Sequence, residues 1–345
     1  MTEMAGAGNS KTESALRGTG VVLRDPLPWP QLLQVVQTAE DTGYQAVFVP
    51  EITGREAFAS LAGMAPATSR LRLGTGVVTV WSRGPVVTAM AAATIQEASG
   101  GRMILGIGSG YPPGPEAHRR IAAAGGSIPL MREYIRVVRA VLSGESMASE
   151  GPFEVPSFAL TLVSAGPQPQ VWLAALGDRM LALAGEIADG VIMNWCTPER
   201  VREAREIVGE AASGAGRDPS EVAISVYVRA CLGVDQPVAL EALHEAIGMY
   251  AAIPHYLSAF RRMGLGEEAE DAAQAFGSGR PKDVPESLVR ALSVSGGRAE
   301  ARSRFDQYME AGADLVLCYP VAALEPFSSI LGTVLTAAPS PAVER

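Results

Sequence analysis

Two short apolar runs, each ending in glycines and separated by an alanine-rich stretch, constrain this chain more than any other feature. The first, Leu71–Val78, reads Leu-Arg-Leu-Gly-Thr-Gly-Val-Val. The second, Gly101–Tyr111, reads Gly-Arg-Met-Ile-Leu-Gly-Ile-Gly-Ser-Gly-Tyr. Each has the length of one strand buried on both faces. Between them, Pro85–Ala98 is rich in alanine, a strong helix former, and its proline sits where a first turn has no hydrogen bond to lose. The order is strand, helix, strand, with glycines at the carboxyl ends of the strands. A (β/α)8 barrel carries its chemistry there, and backbone without a Cβ lets a flat ligand come close.

The rhythm continues along the chain. Strands are expected at 20–23, 46–49, 71–80, 103–107, 171–175, 190–193, 222–232 and 314–318. Helices are expected at 31–42, ended by Gly43, and at 55–67, 85–98, 129–142 and 299–308. Asp178 is positioned to cap one further helix. Thr197, followed by Pro198, caps another. Eight strands alternating with helices predict a single closed parallel barrel, the (β/α)8 or TIM fold. Two stretches break the rhythm and predict insertions: an excursion or hairpin at about 144–169 and a helical lobe at about 236–294. Residues 1–17 are small and polar and read as a flexible tail; 18–345 then form the barrel.

Bulk composition excludes several functions. The 345 residues carry a net charge of −9 and no basic stripe, which argues against nucleic acid as a partner. Three separated cysteines, Cys196, Cys231 and Cys318, allow neither a disulfide framework nor a metal knuckle, and suit a reducing cytoplasm. His118, His244 and His255 lack partners at ligand spacing, so no metal is expected. No run approaches eighteen uninterrupted apolar residues, so no membrane span is expected.

Taken in order, Leu-Gly-Thr-Gly-Val at 73–77, Arg-Gly-Pro-Val-Val at 83–87, Gln-Glu-Ala-Ser-Gly-Gly-Arg at 96–102 and Leu-Gly-Ile-Gly-Ser-Gly at 105–110 resemble the luciferase-like superfamily, in particular its coenzyme F420 branch. The segments 171–177, 188–191 and 308–320 extend the likeness, which covers about 18–335. The resemblance implies a cis peptide at Gly76–Val77 in a bulge ending the third strand and backing the deazaflavin ring. It places Thr79 at the ring's polar edge. Gly108, Ser109 and Gly110 would meet the ring and ribityl chain. Ala174, Ala175, Leu176 and Gly177 would form the turn approaching the phosphate, where bare N–H groups at a helix start suit an anion.

Two positions depart from the family pattern. Where relatives carry Asp-His at the end of strand two, this chain has Pro50 and Glu51. Glu51 is the candidate proton donor or acceptor, provided burial raises its pKa; the plainer reading is a salt bridge to Arg55. Where many relatives carry a carboxylate after Gly-Ser-Gly, this chain has Tyr111, a second catalytic candidate or a pocket-lining ring. Trp81 and Trp195 follow strands at the same end and are candidate substrate-pocket walls, or packing beneath loops. The function these features imply is hydride transfer between F420 and a small organic substrate. An FMN-dependent monooxygenase using reduced flavin and oxygen is the alternative, and a non-catalytic binding barrel a third reading. The bare helix 85–98, beside 55–67, implies a homodimer.

Overall fold

The computed structural model describes residues 16–24, 26–110, 112–162 and 166–339. Most of the expected tail, residues 1–15, and the candidate Tyr111 lie outside the described residues. Eight parallel strands close on themselves: β1 Gly18–Val22, β2 Ala46–Val49, β3 Arg72–Thr75, β4 Met103–Gly108, β5 Gln170–Ala174, β6 Gly190–Asn194, β7 Ala223–Leu232 and β8 Leu315–Pro320. Each pairs with its chain neighbour, and β8 returns to β1 with Gly18 opposite Leu315. Helices cover the outside, giving the (β/α)8 barrel expected from the sequence.

The apolar pattern explains the two layers. One side of each strand packs against the helices, through residues such as Val47, Leu73, Leu105 and Val226. The other side fills the barrel with Phe48, Ile104, Trp172, Ile192 and Leu317. The Phe48 and Trp172 rings meet at 5.8 Å between centroids. Their bulk needs empty positions opposite. A Cβ on Gly74 would lie 2.5 Å from the Phe48 ring, and one on Gly190 2.6 Å from the Trp172 ring. Glu40 fixes the entry to β3: its buried carboxylate accepts the amides of Ser69, Arg70 and Leu71. Burial opposes its charge, but those amides outweigh it and hold the carboxyl below its usual range.

The third strand, expected over 71–80, is interrupted at the Gly76–Val77 bulge that the family resemblance implied. It stops at Thr75 and resumes as a two-residue strand, Val78–Thr79, paired to β4 after a cis Gly76–Val77 bond. The expected excursion is an antiparallel hairpin of Met147–Ser149 and Val155–Phe158. The expected lobe comprises helices Gln236–Ala251, Pro254–Arg262, Gly266–Gly277 and Glu286–Leu292 around their own core of Leu243, Ile247, Phe260 and Leu288. It ends in Ser293–Gly296, which pairs with the outer half of β7. The sequence reading passed over two helices, Gly114–Ala123 and Pro326–Thr336. The helix after β5 is capped by Gly177, with Asp178 inside its first turn, bound to Arg200.

Candidate active site

A cavity of 930 Å³ opens at the carboxyl ends of the strands, under the lobe. This end of the sheet follows from parallel pairing: all eight strands point the same way, so their terminal loops converge on one mouth. The cavity brings together, from the sequence candidates, Glu51, Gly76, Val77, Thr79, Gly108, Ser109, Gly110 and the run Ala174, Ala175, Leu176 and Gly177. These come from β2, β3, β4 and β5, so the glycine-ended strands form one continuous floor.

The floor is tied together by hydrogen bonds. The Gly76 amide donates to the Val49 carbonyl at 2.8 Å, and Thr75 Oγ1 donates to the Gly106 carbonyl at 2.8 Å. The Tyr227 hydroxyl donates to the Gly76 carbonyl at 3.0 Å from across the barrel. A Cβ on Gly76 would fall 2.1 Å from that hydroxyl oxygen, so the position admits no side chain. Gly110 has φ +52°, and a Cβ there would press on Thr79 Cγ2 at 2.9 Å.

Glu51 sits at the edge of this floor, with its side chain 16% exposed. Its partner is Arg83, which donates to Oε2 at 2.8 Å and also to Glu56 at 2.7 Å. Arg55, the partner considered from sequence, donates to the Leu27 carbonyl and lies over the Trp29 ring. The amide of Ala57 also reaches Glu51 Oε2, at 3.2 Å. On the other oxygen, Ser82 Oγ donates to Oε1 at 3.2 Å, and Thr79 Oγ1 donates to Ser82 Oγ at 3.3 Å. A hydroxyl chain therefore runs from Thr79 on the cavity wall to the Glu51 carboxylate.

Of the two readings of the tryptophans, packing describes their placement better than pocket wall. Trp81 and Trp195 are both absent from the cavity lining. Trp81 donates through Nε1 to the Ser109 carbonyl, clamping the β4 loop from behind. Trp195 is 1% exposed, holds φ +51° and packs against Tyr250. Following a strand fixes a residue's height, not the direction of its side chain. Cys196 is buried beside it, and burial pushes its thiol up to about 12, which leaves it unreactive.

Several lining residues were not read from the sequence. Asn194, Tyr227, Arg229 and Tyr319 come from β6, β7 and β8, and Tyr250, His255, Tyr256 and Arg262 from the lobe. Arg262 approaches Gly177, its Nη2 lying 3.9 Å from where a Cβ on that glycine would be. Gly177 caps its helix without a side-chain hydrogen bond, so first-turn N–H groups face the same end of the cavity as this cation. Among the described residues no cluster of His, Cys, Asp and Glu could hold a metal ion, and no helix is long and apolar enough to cross a membrane.

Comparison with known proteins agrees with this architecture. The luciferase-like monooxygenase family matches residues 8–315. A 5,10-methylenetetrahydromethanopterin reductase of Methanolobus tindarius is 27% identical over 300 residues, covering 84% of this chain and 90% of that protein. A phthiodiolone/phenolphthiodiolone dimycocerosates ketoreductase of Mycobacterium bovis is 32% identical over 275 residues, covering 75% and 68% respectively. Among solved structures, a coenzyme F420 dependent tetrahydromethanopterin reductase from Methanopyrus kandleri superposes with a TM-score of 0.79. It is 23% identical, with 93% of this chain and 98% of that one covered.

Proposed function

Because the chain belongs to the luciferase-like monooxygenase family and is an enzyme, we propose that it transfers hydride between coenzyme F420 and a small organic substrate. The observation that carries this reading is the single cavity joining the β3 bulge, the Gly108–Gly110 turn and the helix start at Gly177 beside Arg262. Its volume of 930 Å³ is at the upper end of the roughly 300–1,000 Å³ of ordinary ligand sites, enough for a tricyclic ring, its polyol chain and a small substrate. The side-chain-free floor suits the flat ring. The cationic end with free amides suits its phosphate. The similarity to an F420 dependent reductase supports this cofactor over FMN.

When bound, the deazaflavin supplies the hydride donor or acceptor at C5. The residues of this chain do the rest. Tyr227 fixes the Gly76 carbonyl, so the floor cannot shift under the ring. The lobe covers the mouth and excludes water. Glu51 holds or moves the proton that accompanies the hydride, through Ser82 and Thr79. Buried, unpaired cysteines among the described residues fit a cytoplasmic enzyme. The exposed apolar stripe on helix Pro85–Ala98 supports a homodimer.

The test is a titration of the purified protein with F420, reduced F420 and FMN, followed by tryptophan quenching. F420 binds in preference to FMN on this reading. Gly110→Val, which meets both the positive φ and Thr79, weakens F420 binding on the order of tenfold or more. Tighter binding of FMN would move the chain to the reduced-flavin and oxygen chemistry of the alternative.

A further inference from the structure

Arg229 lies on β7 two residues beyond Tyr227, so both side chains leave the same face of the strand, about 7 Å apart along it. Both line the cavity. Tyr227 is occupied by the Gly76 carbonyl, whereas Arg229 has no such role. It is 3% exposed. Its guanidinium lies 3.7 Å from the centroid of the Tyr319 ring and 4.5 Å from that of Trp195, with Tyr250 at 5.4 Å. Nη1 donates to Asn194 Oδ1 at 2.9 Å, and Asn194 Nδ2 in turn donates to the Tyr256 hydroxyl at 2.7 Å.

What Arg229 lacks is a counter-charge. Among the described residues no carboxylate lies within ion-pair distance of it, and its Nε and Nη2 make no hydrogen bond. Two other arginines with covered head groups do have a counter-charge. Arg83 holds Glu51 and Glu56, and Arg200 holds Asp178 and Glu203. The tyrosines around Arg229 do not supply the missing charge. Burial keeps the hydroxyls of Tyr227, Tyr256 and Tyr319 above their usual range, so they stay neutral. Ring faces attract a guanidinium but do not replace an anion, and a buried charge left unpaired is costly. A cation that lines a ligand-sized cavity without a counter-charge is placed to meet one on a ligand.

We propose that Arg229, oriented by Asn194, anchors a carboxylate carried by the substrate, so that the enzyme acts on a carboxylic acid with an apolar body. The inference rests on the hydride-transfer reading of the cavity and names its substrate class. With Nη1 held by Asn194 and rings stacked nearby, the free edge of the guanidinium is Nε with Nη2. That edge offers two parallel N–H groups, the geometry a planar carboxylate accepts. Met249, Ile253 and Tyr250 line the adjoining wall and would cover the apolar part.

The probes are benzoate and its neutral counterpart benzamide, titrated into the full-length protein and followed by tryptophan emission and calorimetry. Wild type binds benzoate about tenfold or more tightly than benzamide. Two variants test the anchor. Arg229→Gln removes the charge. Asn194→Asp leaves the aromatic box filled and places a carboxylate against Arg229 from within. Each lowers benzoate affinity by about 30-fold or more, the loss expected when one partner of a buried charge pair is removed or already satisfied, and leaves benzamide binding unchanged. Asn194→Asp melts no lower than wild type, which guards against misfolding as the cause. Equal affinity of wild type for the two probes, or full benzoate affinity in Asn194→Asp, overturns the proposal. F420 titrated into the same samples keeps the two readings apart. F420 bound without benzoate preference removes only the carboxylate anchor, and no F420 binding by wild type removes the redox reading beneath it.

Discussion

The Tyr227 hydroxyl donates to the Gly76 carbonyl oxygen at 3.0 Å, joining β7 to the bulge of β3 across the mouth of the barrel. Tyr227 is 5% exposed and packs in the barrel interior with Phe48 and Trp172, its hydroxyl at the base of the cavity. Tyr227→Phe keeps the ring and removes only the donor. The Gly76 carbonyl then loses its side-chain donor, which costs about 1–3 kcal/mol. A melting temperature lowered accordingly, together with weaker F420 binding, is the expected outcome. Calorimetry and quenching titrations measure the two separately. Lost stability with undiminished F420 affinity would show that the bond serves the barrel and not the floor of the site.

Glu51 is held by Arg83 on one oxygen and by the Ser82 hydroxyl on the other. Glu51→Gln keeps size and hydrogen bonding but cannot carry a proton in exchange. It is expected to lower turnover of a substrate the wild type accepts by about 10²–10⁴-fold, the range for loss of a general acid or base. F420 affinity stays nearly unchanged. Ser82→Ala breaks the chain from Thr79 and lowers turnover in the same direction by less. Unchanged turnover in Glu51→Gln would reduce Glu51 to a clamp for Arg83 and turn attention to Tyr111.

The lobe gives the protein a pH dependence near neutrality. Burial lowers the imidazoles of His244 and His255 below their usual range, with Glu286 working the other way on His244 without overcoming it. In the unfolded chain both titrate at about 6.5. As pH falls through that value the unfolded state takes up protons that the folded state refuses, so stability is full above it and declines below it. Melting temperatures from pH 8 to 5.5 check this. A fall in wild type that is flattened in the His244→Gln, His255→Gln double variant is expected. A melting temperature that rises on acidification contradicts it.

How far the sequence could be read follows from the range of each signal. The strands were legible because each is an apolar run of strand length punctuated by glycine. The glycines themselves were legible as floor because they stand at strand ends. Side-chain direction was not. Trp81 and Trp195 follow strands, yet both pack behind residues that line the cavity, Trp81 on Ser109 and Trp195 on Tyr250 and Arg229, and Trp195 does so with a backbone in the left-handed region that no pattern announces. The opposite wall was half readable. An arginine two residues after a tyrosine, inside the apolar run 222–232, shares one face of β7 with it, a pairing that the reading of 222–232 as a plain strand left unused. Its meaning depends on Asn194, Tyr250 and Tyr319, which only the closed barrel and the lobe bring to it. Arg262 is more remote still, reaching Gly177 from a helix whose place over the mouth is a tertiary fact.

The last prediction concerns the helix Pro85–Ala98. From composition it looked bare on every side. In the fold it buries Thr88, Ala89, Ala92, Ala93, Ile95 and Gln96, and leaves Val87 56% and Met90 43% exposed. Residues 87, 90, 91, 94 and 98 fall at helical spacing on that open face, with Thr94 within it and the exposed carboxylate of Glu97 at its edge beside Met90. The neighbouring helix Ala57–Met64 adds exposed Ala59 and Ala62. Together they form an apolar strip of small side chains along which two helix pairs can approach closely. A two-fold partner presenting the same strip would bury Val87 and Met90 on both copies. Light scattering at micromolar concentration is expected to give twice the 36.0 kDa chain mass. Met90→Glu places a charge at the centre of the strip, where pairing would bury it against its own copy, and is expected to return the mass to that of one chain without lowering the melting point of the barrel. A wild-type mass of one chain would show that the strip faces water.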